Sequence, residues 1–92
     1  MASVMREIGF DTMVFREGKT YVAHCPELDV SSCGTSVEQA RKMLRTAVRL
    51  YLEEADKLGT LDAILREAGY RAKAGIWEPP AIVATEHATV EV

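Results

Sequence analysis

The spacing of apolar and polar positions changes character along this 92-residue chain. From Phe10 to Arg16 apolar and β-favouring residues dominate, and the polar run Arg16-Glu17-Gly18-Lys19 follows. Gly18 can adopt the positive φ of a tight turn. Thr20 to Cys25 then reads as a returning strand, so the two runs predict a β-hairpin. Pro26 has no N–H for a ladder, and the second strand should end there or bulge. Val30 to Cys33 predicts a short third strand that Gly34 stops.

The period then lengthens to that of a helix. Thr35 is the expected N-cap, with Glu38 three residues on as in a capping box. Leu44, Ala47, Val48, Tyr51, Ala55 and Leu58 form one apolar stripe over a helix 36–58. Arg41, Arg45, Arg49, Glu53 and Lys57 make the solvated face. Gly59 suits the residue just past the helix end. Thr60 opens a shorter helix with Leu61, Ile64 and Leu65 inward and Gly69 after it. Tyr70 to Glu78 reads as a loose hairpin or an extended loop around Gly75, and Pro79-Pro80 breaks it. The last residues alternate, with Ile82, Ala84, Ala88, Val90 and Val92 on one face and Glu86 interrupting, which predicts a final strand. Such a strand either joins the sheet or offers an edge to a partner.

The order β-β-β-α-(α)-β predicts an α+β fold: a three- to four-stranded, mostly antiparallel sheet packed on one long helix. One domain spanning 1–92 is expected at this length. The sheet's far face stays partly bare unless a second copy covers it, so a homo-oligomer is expected. A domain this small buries only about 60–65% of the surface its unfolded chain exposes, which adds to the same expectation.

Composition narrows the function classes. The formal net charge is -3 and the pI about 5.3, whereas nucleic-acid binders usually carry a basic patch or a pI above about 9. Direct nucleic-acid binding is not expected, and a basic protein partner suits the charge. No apolar run approaches the ~20 residues of a membrane span. Residues 1–10 show no signal-peptide core, and two free cysteines fit a reducing compartment. A cytoplasmic location is expected.

His24, Cys25 and Cys33 invite a search for chemistry. Structural zinc sites show four ligands in paired spacings. Here His24 and Cys25 are adjacent on a strand and point to opposite faces. Cys25, Cys33 and His87 could meet only through an unseen fold contact, and core packing is the expected role of the cysteines. The same residues offer a thiol and an imidazole, but no third orienting group and no glycine-rich oxyanion turn. Glu53 and Glu54 read as surface carboxylates near a helix end. Glu27 and Asp29 flank a strand junction. They either form a turn or face a basic partner. A hydrolase using them would need divalent metal and convergent carboxylates. Trp77 either seals the core or anchors a partner, tryptophan being enriched at binding hot spots. Glu27, Asp29 and Trp77 are therefore the candidate partner-binding residues. No catalytic set, metal site or cofactor motif is expected.

The run from Gly18 to Ala55 resembles the HicB-like antitoxin family. The matching positions are Tyr21, Val22 and Ala23 on a strand, Pro26, Glu27 and Leu28 in the turn, Gly34 before the helix, Glu38 and Ala40 in its first turns, and Tyr51 to Glu54 near its end. The resemblance covers about the central forty residues. It implies a degraded ribonuclease-H-like domain without catalytic carboxylates, one that neutralises a small basic, mRNA-cleaving HicA-like toxin. Two departures stand out. Asp29-Val30 follows "PEL" where the family commonly has Pro-Gly. Beyond the long helix there is no room for the DNA-binding module many members carry, so autorepression is not expected. A solitary structural or regulatory homo-oligomer without a toxin is the alternative.

Overall fold

The structure, a computed structural model, describes residues 6–92, so the reading of the first residues lies partly outside it. The chain is α+β, with β1 (Glu7–Ile8), β2 (Met13–Glu17), β3 (Thr20–Cys25), β4 (Val30–Gly34), α1 (Val37–Lys57), α2 (Leu61–Glu67), β5 (Arg71–Lys73) and β6 (Ile76–Glu78). The strands form two three-stranded sheets, β2-β3-β4 and β1-β6-β5.

The first sheet is the antiparallel meander expected from the sequence. Glu17 pairs with Thr20 across a two-residue turn in which Gly18 has φ 62. A glycine with positive φ at the first central position is what a type II′ hairpin requires. β3 stops at Cys25, immediately before Pro26, and β4 begins at Val30. The first strand starts at Met13 rather than Phe10; Phe10 instead turns inward and packs against the core.

Ser36, not Thr35, caps α1: its hydroxyl accepts the N–H of Gln39 at 3.0 Å. Gln39 answers by accepting from the Thr35 hydroxyl at 2.9 Å. The exchange is like a capping box, except that Gln39 bonds back to Thr35, the residue before the cap, rather than to Ser36 itself. The buried side of α1 is Ala40, Leu44, Val48, Leu52 and Ala55. Tyr51 (39% exposed) and Leu58 (69%) lie outside it, so the helix is turned by about 30° from the stripe read in the sequence, at 100° per residue. The apolar arc of α1 is simply wider than the sheet: β4 and β3 cover one side of it, and Met43, Leu50 and Tyr51 are left at the surface.

Gly59, with φ 76, ends α1 as expected. α2 then drops Leu61 and Leu65 into the same core. The stretch from Tyr70 forms a tight hairpin, Lys73 pairing with Ile76, and Ala74 and Gly75 both have positive φ, the pattern of a type I′ turn. β6 pairs in parallel with β1, which creates the second sheet. The expected final strand is absent. Residues 79–92 hold no regular structure, and every residue from 81 to 92 is exposed. Pro79 and Pro80 supply no N–H and end the ladder.

Candidate functional site

The turn Pro26–Asp29 is built by opposing demands. Leu28 is buried in the core while Asp29 stands in the left-handed region at φ 54, a conformation Asp tolerates better than most residues. Glu27 points back under the turn. Its Oε1 accepts the main-chain N–H of Asp11 at 3.1 Å and the Cys25 thiol at 3.4 Å. The hydrogen bond to Glu27 raises the Asp11 carboxyl above its ordinary value, with burial and the Glu27 charge adding to the rise. Burial pushes Glu27 up, but hydrogen bonds from the Asp11 side chain and main chain outweigh it, and Glu27 ends lower.

Cys25 and Tyr70 close this cluster. Burial raises the Cys25 thiol to about 11, partly offset by the Leu28 main chain. Burial also raises Tyr70, with the negative charges of Cys25, Glu27 and Asp11 acting in the same direction. The Tyr70 hydroxyl donates to the Gly9 carbonyl at 2.7 Å. A thiol with a raised pKa is a poor nucleophile at neutral pH. The cluster therefore ties the β1–β2 connection to the β3–β4 turn, and Glu27 faces inward rather than toward a partner.

The outer face of the β2-β3-β4 sheet has a different character. Register places Met13, Phe15, Val22, His24, Ser31 and Cys33 on it, opposite the face covered by α1. Met13 is 37% exposed and Phe15 49%, and Cys33 is exposed. Glu17 lies on this face at one end, and Asp29, with its side chain 95% exposed, stands at the other. β2, β3 and β4 place no Lys or Arg on it. His24 and Ser31 are cross-strand partners, Nδ1 to Oγ at 2.6 Å, and His24 Nε2 is 3.9 Å from Asp29. That trio has the residue types of a hydrolytic triad, but its carboxylate is fully solvated and cannot fix the imidazole as a buried one does.

Trp77 is buried, 5% exposed. The Arg66 guanidinium covers its ring at 5.9 Å, so a partner would meet Arg66 before Trp77. Of the three candidate residues, Asp29 alone stands fully outward. Cys25 and Cys33 are both free and lie on opposite faces, and among the described residues no three His, Cys, Asp or Glu side chains converge as metal ligands. A cleft of about 650 Å³ runs between α1 and β1, floored by Ile8, Phe10, Val48 and Leu52 and rimmed by Arg45 and Arg49. Arg6 closes one end of it through ion pairs to Asp56 and Asp62.

Reading the sequence missed Met13, Phe15 and Asp11. Met13, Val14 and Phe15 are an unbroken apolar run in the sequence, so no alternation there told which of them faces outward. The approach of Asp11 to Glu27 was not legible either, because it depends on how the β1–β2 connection folds. No helix is long and apolar enough to cross a membrane among the described residues. No protein-family model, curated protein or solved structure matches the chain.

Proposed function

We propose that the chain is an antitoxin-like, non-enzymatic protein-binding domain whose β2-β3-β4 outer face docks a small basic, mRNA-cleaving toxin of the HicA-like type. The observation that carries this reading is the bare outer face: Met13 and Phe15 offer apolar contact, and Glu17 and Asp29 bracket it with negative charge. Apolar centre and complementary charged rim are the ordinary anatomy of a protein-binding patch. The HicB-like residues from Tyr21 to Glu54 supply the class of partner. Glu27 supports the patch from beneath by fixing the turn that presents Asp29. Trp77 supports the opposite side of the domain by seating Arg66.

The test is capture of the tagged chain from its native host, followed by binding with both proteins purified. A small basic protein recovered near stoichiometrically, whose RNA cleavage the chain suppresses, is the expected result. Phe15→Glu should abolish that suppression while leaving the helical circular dichroism unchanged. Recovery of the chain alone would overturn the toxin reading. A second reading, a solitary structural or regulatory homo-oligomer, is favoured by the surface strip Met43, Leu50 and Tyr51 on α1, and it would then lead.

A further inference from the structure

We propose that residues 81–92 of one copy add as a strand to the open edge of β2 in a second copy, so that two chains exchange these segments across a two-fold axis. The proposal goes beyond toxin binding and stands whether or not a toxin exists.

The segment has the makings of a strand and no sheet to join. It is rich in β-branched residues and alternates from Ile82 to Val92. Yet Ile82 is 52% exposed, Val83 93% and Val90 84%. Apolar β-favouring residues exposed to water are a template for pairing. The radius of gyration is 15.4 Å, against about 12 Å for a globular chain of this length, as expected when a segment projects from the body.

Two prolines seated against glycines set the point of its departure. Pro79 sits 3.3 Å from where a Cβ on Gly9 would lie, and Pro80 2.9 Å from the equivalent point on Gly69. Each proline thus occupies space that a glycine leaves free. Neither can donate to a ladder, so β6 cannot continue along the strand it accompanies. β6 runs parallel to β1, and β2 is next in the chain beyond β1. The prolines therefore steer the segment off its own sheet, and among the described residues β2 is bonded on one side only, to β3.

The edge of β2 suits the segment. Met13, Val14 and Phe15 offer apolar neighbours to Ile82 and Val83, the start of the segment. The segment carries Glu86 and Glu91 with no Lys or Arg, and Arg16 and Lys19 lie at the hairpin end of β2. The other edge of the same sheet, β4, is Val-Ser-Ser-Cys-Gly and offers less apolar bulk and no positive charge; β5, an edge of the second sheet, has charge in Arg71 and Lys73 but is three residues long and holds no large apolar side chain. Reciprocal exchange satisfies both copies at once, the closed symmetry that stops strand addition from propagating.

Size-exclusion chromatography with light scattering on the full chain should give twice the 10.2 kDa chain mass. A mixed labelled and unlabelled sample should show intermolecular NOEs between residues 82–92 and 13–17. The double substitution Ile82→Glu and Val90→Glu should give a monomer with unchanged circular dichroism, because neither side chain packs in the core of its own chain. A monomeric wild-type chain would overturn the exchange, including one whose segment folds back on its own β2. So would a dimer that survives the double substitution. Toxin binding is read separately, so its failure leaves this result standing.

Discussion

Leu44→Ala and Leu50→Ala remove the same atoms from the same helix at positions of opposite burial. Leu44 is wholly buried, 0% exposed, and Leu50 is 56% exposed. Both lie in the interior of α1, so the small change in helix propensity is nearly common to the two. The difference between them therefore isolates burial. A buried Leu→Ala change costs about 2.7–5 kcal/mol, from lost transfer free energy and the cavity left behind. Leu44 sits among Ala23, Cys25, Ala40 and Val48 in the core; two of these are alanines with no side chain to swing into the gap, which argues for the upper half of that range. Leu50 should cost less than about 1 kcal/mol, since roughly half its side chain already meets water. A domain of this size has about 5–14 kcal/mol in total. Leu44→Ala should therefore lower Tm by roughly 15–40 °C at about 4–8 °C per kcal/mol, and Leu50→Ala by only a few degrees. Urea melts with equal m-values would convert the midpoints to free energies. If Leu50→Ala destabilised as much as Leu44→Ala, the orientation of α1 described above would be wrong.

The two cysteines should separate by reactivity: iodoacetamide at pH 8 should label Cys33 alone in the native chain and both after unfolding, as mass spectrometry would read, and native labelling of both would contradict the burial of Cys25. Because folding raises the Cys25 pKa to about 11, its contribution to stability is whole below the unfolded value of about 9 and is lost as pH climbs from there toward 11; Cys25→Ala should flatten that part of the pH–stability curve, and an unchanged slope would refute the linkage. Ala74 holds φ 52 in the β5–β6 turn, and Ala74→Asn should raise stability by up to about 1 kcal/mol because asparagine accepts that conformation more readily; a lower melting temperature would mean the turn is not type I′. A Cβ on Gly34 would lie 2.7 Å from the Ala40 main-chain nitrogen, so Gly34→Ala should cost about 1–3 kcal/mol through backbone displacement, and a neutral urea midpoint would show the strand and helix do not approach so closely.

Much of the architecture was legible because its causes are local. The β2–β3 hairpin follows from Gly18, the end of β3 from Pro26, and the helix boundary from Gly59. The α+β class followed from the change of period near Thr35. The errors came where a choice depends on surroundings. Thr35 and Ser36 are both competent caps, and Gln39 settles it by bonding back to Thr35. Tyr51 and Leu52 are adjacent and apolar, and only the position of the sheet decides which is buried. The second sheet could not be read because β1 is two residues long and pairs with β6 nearly seventy positions later. The segment from Ile82 has a strand's pattern, but a strand also needs an edge, and pattern carries no information about which chain supplies it. Of the site, Asp29 and the turn around it were legible; the outer face was not, because its bareness depends on what the rest of the fold fails to cover.

The same hydrogen bonds that hold the fold also decide which surfaces remain for partners. Gly9 donates its N–H to the Trp77 carbonyl at 3.0 Å and accepts from the Tyr70 hydroxyl, and two residues on Asp11 bonds Glu27. These contacts bind the first connection of the chain to its late hairpin and to the β3–β4 turn. They consume Glu27, Tyr70 and the polar main chain at the junction, so this junction has little left to offer outward. The unspent groups lie elsewhere: the outer face with Met13, Phe15 and Asp29, the free edge of β2, and the segment from Ile82. Gly9 also receives Pro79, so the residue that locks the junction helps aim the segment away from it. A substitution at Gly9 should therefore disturb both at once, whereas one at Phe15 or Ile82 should change association and leave the fold intact. That separation is what a small binding domain needs, because its few core contacts cannot also serve as its interface.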